Sequence, residues 1–91
     1  MYGKGSKKGM IRFAIKAGNG VSTAKLAGDF NDWTPQTMRK QKSGEYVANV
    51  PLSSGNYEYK FLVNEEWLVD PDNGVWAVNP YGTVNSVAQV S

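Results

Sequence analysis

The chain has 91 residues, 41% of them hydrophobic and 12% aromatic, with a formal net charge of +2. That size allows one domain with a thin core. The balance excludes a disordered chain and lacks the concentrated positive charge that nucleic-acid binding requires. With no cysteine and no histidine, disulfides, thiolate chemistry and the commonest general base and metal ligand are also excluded.

No apolar run approaches the ~20 residues of a membrane span. The N-terminus carries lysines without an apolar h-region, so no secretory signal is read and a cytoplasmic setting is expected. Residues 1–9, MYGKGSKKG, hold three glycines and three lysines and are expected to be a flexible tail. Gly3-Lys4-Gly5 lacks both the preceding strand and the full spacing of a phosphate loop. The domain is expected over residues 10–91.

Met10 to Lys16 alternates Ile11, Phe13 and Ile15 inward with Arg12 and Lys16 outward, as a half-buried strand does. Gly18-Asn19-Gly20 is a turn signal. Thr23 to Ala27 is a second strand, with Leu26 its core residue. Gly28 to Pro35, GDFNDWTP, is rich in loop formers but carries Phe30 and Trp33. Met38 falls on a third strand, and Glu45 to Val50 points Tyr46, Ala48 and Val50 one way.

The segment Gly55 to Pro71, GNYEYKFLVNEEWLVDP, reads as a hairpin. Tyr57, Tyr59, Phe61 and Val63 face inward and Lys60 outward. Asn64-Glu65-Glu66 makes a polar turn, and Trp67-Leu68-Val69 is the return strand. Pro71 stops it, because proline lacks the donor that a ladder needs. Val75 to Pro80 has no clear period, and Trp76 there either extends an aromatic surface or packs against Pro80, with packing the expectation. Tyr81 to Val90 reads as a last strand, with Thr83, Asn85, Val87 and Gln89 on one face. About seven short strands separated by regular turn signals, with no helical period, predict an all-β, immunoglobulin-like antiparallel sandwich.

Most of the eight carboxylates sit at turns, and a small sandwich offers little depth for a catalytic cleft. No enzyme activity is expected, and no cofactor. Asp70-Pro71-Asp72-Asn73-Gly74 has its glycine one position early for a calcium loop and no acid at the closing position, so it reads as an Asx-Pro turn and no metal is expected. The aromatics carry the functional signal. Trp33 lies in a polar loop with Phe30 as its buried anchor, and Trp67 follows two glutamates just past a turn. Beside Lys60, Thr83 and Asn85 they would form a flat platform rimmed by donors and acceptors. A sugar ring stacks its C–H face on indole while its hydroxyls take hydrogen bonds. Two indole faces of ~100 Å² each supply about 5 kcal/mol gross, reduced by the freedom lost on binding.

Residues 28–35, 55–71 and 79–90 (GDFNDWTP, GNYEYKFLVNEEWLVDP and NPYGTVNSVAQV) together resemble carbohydrate-binding module family 48. That family includes the glycogen-binding domain of the AMP-activated protein kinase beta subunit and N-terminal domains of isoamylases, pullulanases and branching enzymes. The resemblance implies binding of α-1,4-glucans such as glycogen, starch, maltooligosaccharides and β-cyclodextrin. It implies stacking on Trp33 and Trp67, hydrogen bonds from Lys60 and Asn85, and a lining threonine at Thr83. The kinase-type domains carry a leucine where this chain has Tyr81, so that contact would be lost or replaced by stacking. A catalytic domain or kinase subunit is the implied protein partner. The alternative is a spacer domain attached to such an enzyme or complex, with no sugar binding of its own.

Overall fold

The computed structural model describes residues 1–5, 7–16 and 20–91. Among these residues are ten strands: β1 (Tyr2–Lys4), β2 (Met10–Lys16), β3 (Ala24–Gly28), β4 (Gln36–Thr37), β5 (Arg39–Lys40), β6 (Glu45–Pro51), β7 (Gly55–Val63), β8 (Glu66–Leu68), β9 (Trp76–Val78) and β10 (Val84–Val90). A short 3₁₀ turn spans Asp29–Asn31. One sheet has the order β1-β2-β6-β5; the other has β4-β3-β7-β10-β9, with β8 also paired to β7. All pairings are antiparallel. This is the expected sandwich.

The count of ten rather than seven has three local causes. The strand around Met38 is divided, β4 joining the larger sheet and β5 the smaller. Met38 itself is buried between them. Trp76–Val78 pairs with β10 as an edge strand where no period was legible. Within the segment expected to be a flexible tail, Tyr2–Lys4 pairs with β2. The Tyr2 ring packs on Phe13 and Tyr59, with centroids 6.3 and 6.2 Å apart, and its hydroxyl accepts from the Gln89 N–H at 3.0 Å. One aromatic is enough to dock a glycine-rich segment. The Gly18-Asn19-Gly20 turn lies outside the described residues apart from Gly20.

Alternation sets the core. Ile11, Phe13 and Ile15 from β2, Tyr46, Ala48 and Val50 from β6, and Tyr59, Phe61 and Val63 from β7 form one cluster with Leu26 and Met38. Phe13, Tyr59 and Phe61 stack edge to face, with centroids 4.9 and 5.7 Å apart.

A polar network closes the core where β8 ends. Asp70 is buried. Its carboxylate accepts from the Tyr59 hydroxyl at 2.7 Å and the Asp72 N–H at 2.9 Å, and the Met1 amino group is its ion-pair partner. The Asp70 N–H donates to Ser86 Oγ at 2.7 Å. Asn73 donates to the Tyr59 hydroxyl and to the Val87 carbonyl. Among the described residues no buried side-chain polar atom lacks a partner.

Removing the Asp70 carboxylate leaves the Tyr59 hydroxyl proton without its acceptor in the core. Asp70→Ala should therefore lower stability by about 2–3 kcal/mol, read from urea midpoints. A loss under ~0.5 kcal/mol would show that the network is dispensable. Burial, reinforced by Asp70 and opposed by the Asn73 hydrogen bond, pushes the Tyr59 phenol well above its ordinary value. The folded state keeps a proton that the unfolded chain gives up near pH ~10, so raising the pH through that value favours unfolding. The parent should lose stability more steeply than Tyr59→Phe between about pH 9 and 11. Equal slopes would refute that assignment.

Candidate functional site

The outer face of β7 presents Glu58, Lys60 and Leu62, the residues alternating with the buried Tyr59, Phe61 and Val63. Three separate segments attach to it.

The first is the loop after β3. A Cβ at Gly28 would lie 2.6 Å from the Glu58 carbonyl oxygen and 2.8 Å from the Phe30 ring, so the close approach of β3 to β7 requires glycine. Asn31 folds the loop back. Its Oδ1 accepts from the Gly28 N–H, and its amide donates to the Leu26 carbonyl and Gln36 Oε1. Phe30 packs on Phe13 at 5.3 Å as the loop's anchor. Asp32 and Trp33 have φ of 53° and 59°, left-handed values that strain a bulky residue. The Trp33 N–H donates to the Gly28 carbonyl at 2.9 Å, and its indole Nε1 donates to Asp29 Oδ1 at 3.1 Å. The other Asp29 oxygen accepts from the Glu58 N–H at 2.8 Å. Asp29 thus clamps the Trp33 ring to β7.

The second segment is the β7–β8 hairpin. Asn64 and Glu65 both have positive φ, 46° and 69°, as a two-residue type I′ turn requires. The Asn64 side chain accepts from the N–H groups of Ser22 and Thr23 and donates to the Gly20 carbonyl, pinning the turn. Trp67 pairs with Leu62, so its ring shares the outer face with Lys60; it is 48% exposed.

The third segment is the entry to β10. Asn79 donates to Thr83 Oγ1 at 2.6 Å and Asn85 Oδ1 at 3.0 Å. Its own Oδ1 accepts from the Tyr81 and Thr83 N–H groups. Asn85 donates to Glu58 Oε1 at 3.0 Å, and Lys60 Nζ donates to Thr83 Oγ1 at 3.3 Å. A chain of hydrogen bonds thus runs from Glu58 through Asn85, Asn79 and Thr83 to Lys60.

The structure therefore links Lys60 to Thr83 directly, and Asn85 to Thr83 through Asn79. It places Trp67 on their face and fixes Trp33 beside Glu58 through Asp29. Three expectations are modified. Thr83 precedes β10 rather than lying in it, because Asn79 and Gly82 (φ 81°) make a turn of residues 79–83. Asn85 is only 6% exposed, since its amide is engaged on both sides. Trp76 does not pack away; it is 59% exposed. Tyr81 is 91% exposed, with no side-chain hydrogen bond among those described. Sequence reasoning missed Asp29, Glu58 and Asn79. Only Asn79-Pro80 carried a signal, as a turn-opening dipeptide.

The surface so formed is an open face, with apolar rings beside a guided set of donors and acceptors. Hollows of about 150 and 320 Å³ lie elsewhere, around Tyr2 and Val90 and around Gln36 and Asn49. No group of three or more acidic side chains able to hold a metal ion occurs among the described residues. Residues 11–91 match the family model for the glycogen recognition site of AMP-activated protein kinase. The chain belongs to that family. It is 37% identical over 65 residues to the 5'-AMP-activated protein kinase subunit beta-1 of Sus scrofa, covering 71% of this chain and 52% of that one. To the beta-2 subunit of Homo sapiens it is 29% identical over 76 residues, 84% of this chain and 28% of the relative. It thus spans about half the length of these relatives or less. The fold also matches a maltogenic amylase from S. marinus, with a TM-score of 0.77 and 24% identity over 100% of this chain and 15% of the other. A pullulanase from Paenibacillus barengoltzii gives 0.59 and 25% identity over 91% of this chain and 14% of its own. The chain is thus a carbohydrate-binding module of glycogen-recognition type.

Asn79 holds four polar atoms of the third segment, whereas family membership is carried by the motifs as a whole. Asn79→Ala should cost about 1–2 kcal/mol and speed amide exchange at Tyr81 and Thr83 while leaving β7 protected. Unchanged exchange at those two amides would show that the turn holds its shape without the side chain.

Proposed function

We propose that this domain docks on α-1,4-glucan chains without acting on them, using the outer face of β7. Trp33 and Trp67 stack on sugar rings, and Lys60 and Thr83 exchange hydrogen bonds with hydroxyls. Asn85 uses one amide hydrogen on Glu58 and accepts from Asn79, which leaves its second hydrogen for the ligand. Tyr81, projecting from the Asn79 turn, adds a ring at the rim where the resemblance would place a leucine.

The observation that carries this reading is the convergence of three separate segments on one face, each fixed by side-chain hydrogen bonds. Trp33 is held at the level of Glu58 and Trp67 at the level of Leu62. Four residues of strand span about 13 Å, which suits a short oligosaccharide better than a single ring. The Trp33 ring, held by Asp29, loses little freedom on binding. The open face admits a chain from the side, so binding at any one site is weak and a polymer engages by avidity. A tethered catalytic domain or kinase subunit would thereby be concentrated on glycogen or starch.

Titration with β-cyclodextrin and maltoheptaose, followed by tryptophan fluorescence, tests this. Saturable binding should weaken about tenfold or more in each of Trp33→Ala and Trp67→Ala, with the fold retained by circular dichroism. Lys60→Ala should weaken it less. Absence of any response up to millimolar ligand would leave the spacer reading in its place.

A further inference from the structure

Trp76 belongs neither to the core nor to the face described above. In β9 it pairs with Ser86, whereas its neighbour Ala77 pairs with Asn85. Successive residues of a strand point to opposite faces, so Trp76 lies on the far side of β9 from Asn85 and cannot join the Trp33–Trp67 platform. It is more exposed than Trp67.

Its ring is nevertheless held. The indole Nε1 donates to the Asn73 carbonyl at 3.2 Å. Asn73 is itself tied to the core, donating to the Val87 carbonyl at 2.8 Å and the Tyr59 hydroxyl at 3.1 Å, and accepting from the Val75 N–H at 3.0 Å. The hydrogen-bonding edge of the indole is thus satisfied by a rigid turn, while its apolar surface faces water. Val78, two residues along on the same side, is 77% exposed and prolongs the strip, and Asp72 lies exposed in the turn. A large exposed aromatic in a fixed orientation is a contact feature rather than a packing one.

The size of the strip selects the ligand. A stable protein interface covers about 800 Å² per partner, far more than one indole and one valine offer. One pyranose ring needs a single indole face of roughly 100 Å².

We propose that Trp76 is a second, independent glucan-stacking contact, engaging a different chain of the polymer from the one on the outer face of β7. This rests on the α-glucan reading above and extends it. A domain with contacts on both sides of β9 is bivalent, so it bridges chains and gains avidity on a branched particle without gaining affinity for a short oligosaccharide.

The test uses the whole chain labelled with nitrogen-15, following the three indole N–H signals during titration with maltoheptaose and then with glycogen. The signals are assigned from Trp→Phe variants. The Trp76 signal should shift with its own saturation curve and should still shift in Trp67→Ala. Trp76→Ala should leave the maltoheptaose affinity of the other two tryptophans within about twofold but weaken glycogen binding about tenfold or more. Trp76→Phe, which keeps a stacking face, should recover most of that loss and controls for damage to β9. If Trp33 and Trp67 respond while Trp76 stays silent with both ligands, the second contact is refuted and the first reading stands. If no tryptophan responds, both fall. A Trp76 signal that changes with protein concentration in the absence of sugar, and is insensitive to glucan, would mark a self-contact and overturn the proposal.

Discussion

Strand β7 runs nine residues through the larger sheet, and every part of the candidate site is attached to it. One edge pairs with β3 along Tyr59–Val63; the other is shared, by β10 along Gly55–Tyr59 and by β8 along Phe61–Val63. The hand-over from β10 to β8 falls at Lys60. There the start of β10 and the return strand bring Thr83, Asn85 and Trp67 to the same outer face. On the opposite edge β3 ends at Gly28, which frees the Glu58 N–H to take the Asp29 carboxylate. Because side chains alternate strictly along a strand, a slip of one residue would bury Lys60 and expose Tyr59 and Phe61. The aromatic core of the sandwich therefore fixes the register of the site.

The same strand couples the site to the polar closure of the core. Tyr59, between Glu58 and Lys60, points inward to Asp70, and Asp70 holds Ser86 next to Asn85. The inward and outward networks thus run through adjacent residues of β7 and β10. A defect in the Asp70 turn would be felt at Asn85 through one peptide unit, with no side chain of the outer face altered.

Much of this was legible in the sequence because it follows period two. The inward set of β2, β6 and β7 and the outward Lys60 come from alternation, which needs no tertiary information; Thr83 was placed beside Asn85 by the same parity, but it is the Asn79 turn that holds it there. Trp67 was legible as a residue one step beyond a polar turn. What escaped was everything that depends on a side chain reaching across the chain. Asp29 resembles any loop carboxylate until Trp33 and Glu58 meet it from two sides. Asn79 resembles a turn opener until its amide spans Thr83 and Asn85. β9 escaped because three residues are too few to show a period, and Tyr2–Lys4 because composition weighs glycine and lysine but not one well-placed tyrosine.

The strain at Trp33 explains why so many hydrogen bonds gather in its loop. Left-handed backbone at a bulky residue costs about 1–3 kcal/mol, and an unsupported loop would relax by swinging the indole away. Asn31 ties the loop ends, Phe30 anchors it in the core, and Asp29 takes the indole N–H, so the ring is displayed at the height of Glu58. The Trp76 indole is managed by the same device on the other side of the sheet: its N–H is taken by the turn before it and its face is left open. In both cases the polar edge of the ring is satisfied internally, with Trp33 half-buried and Trp76 exposed. A protein interface would gain from either part of the ring, but a stacked sugar uses the face alone. The two tryptophans thus share one arrangement, an indole N–H taken by a neighbouring turn, reached by unrelated local structures.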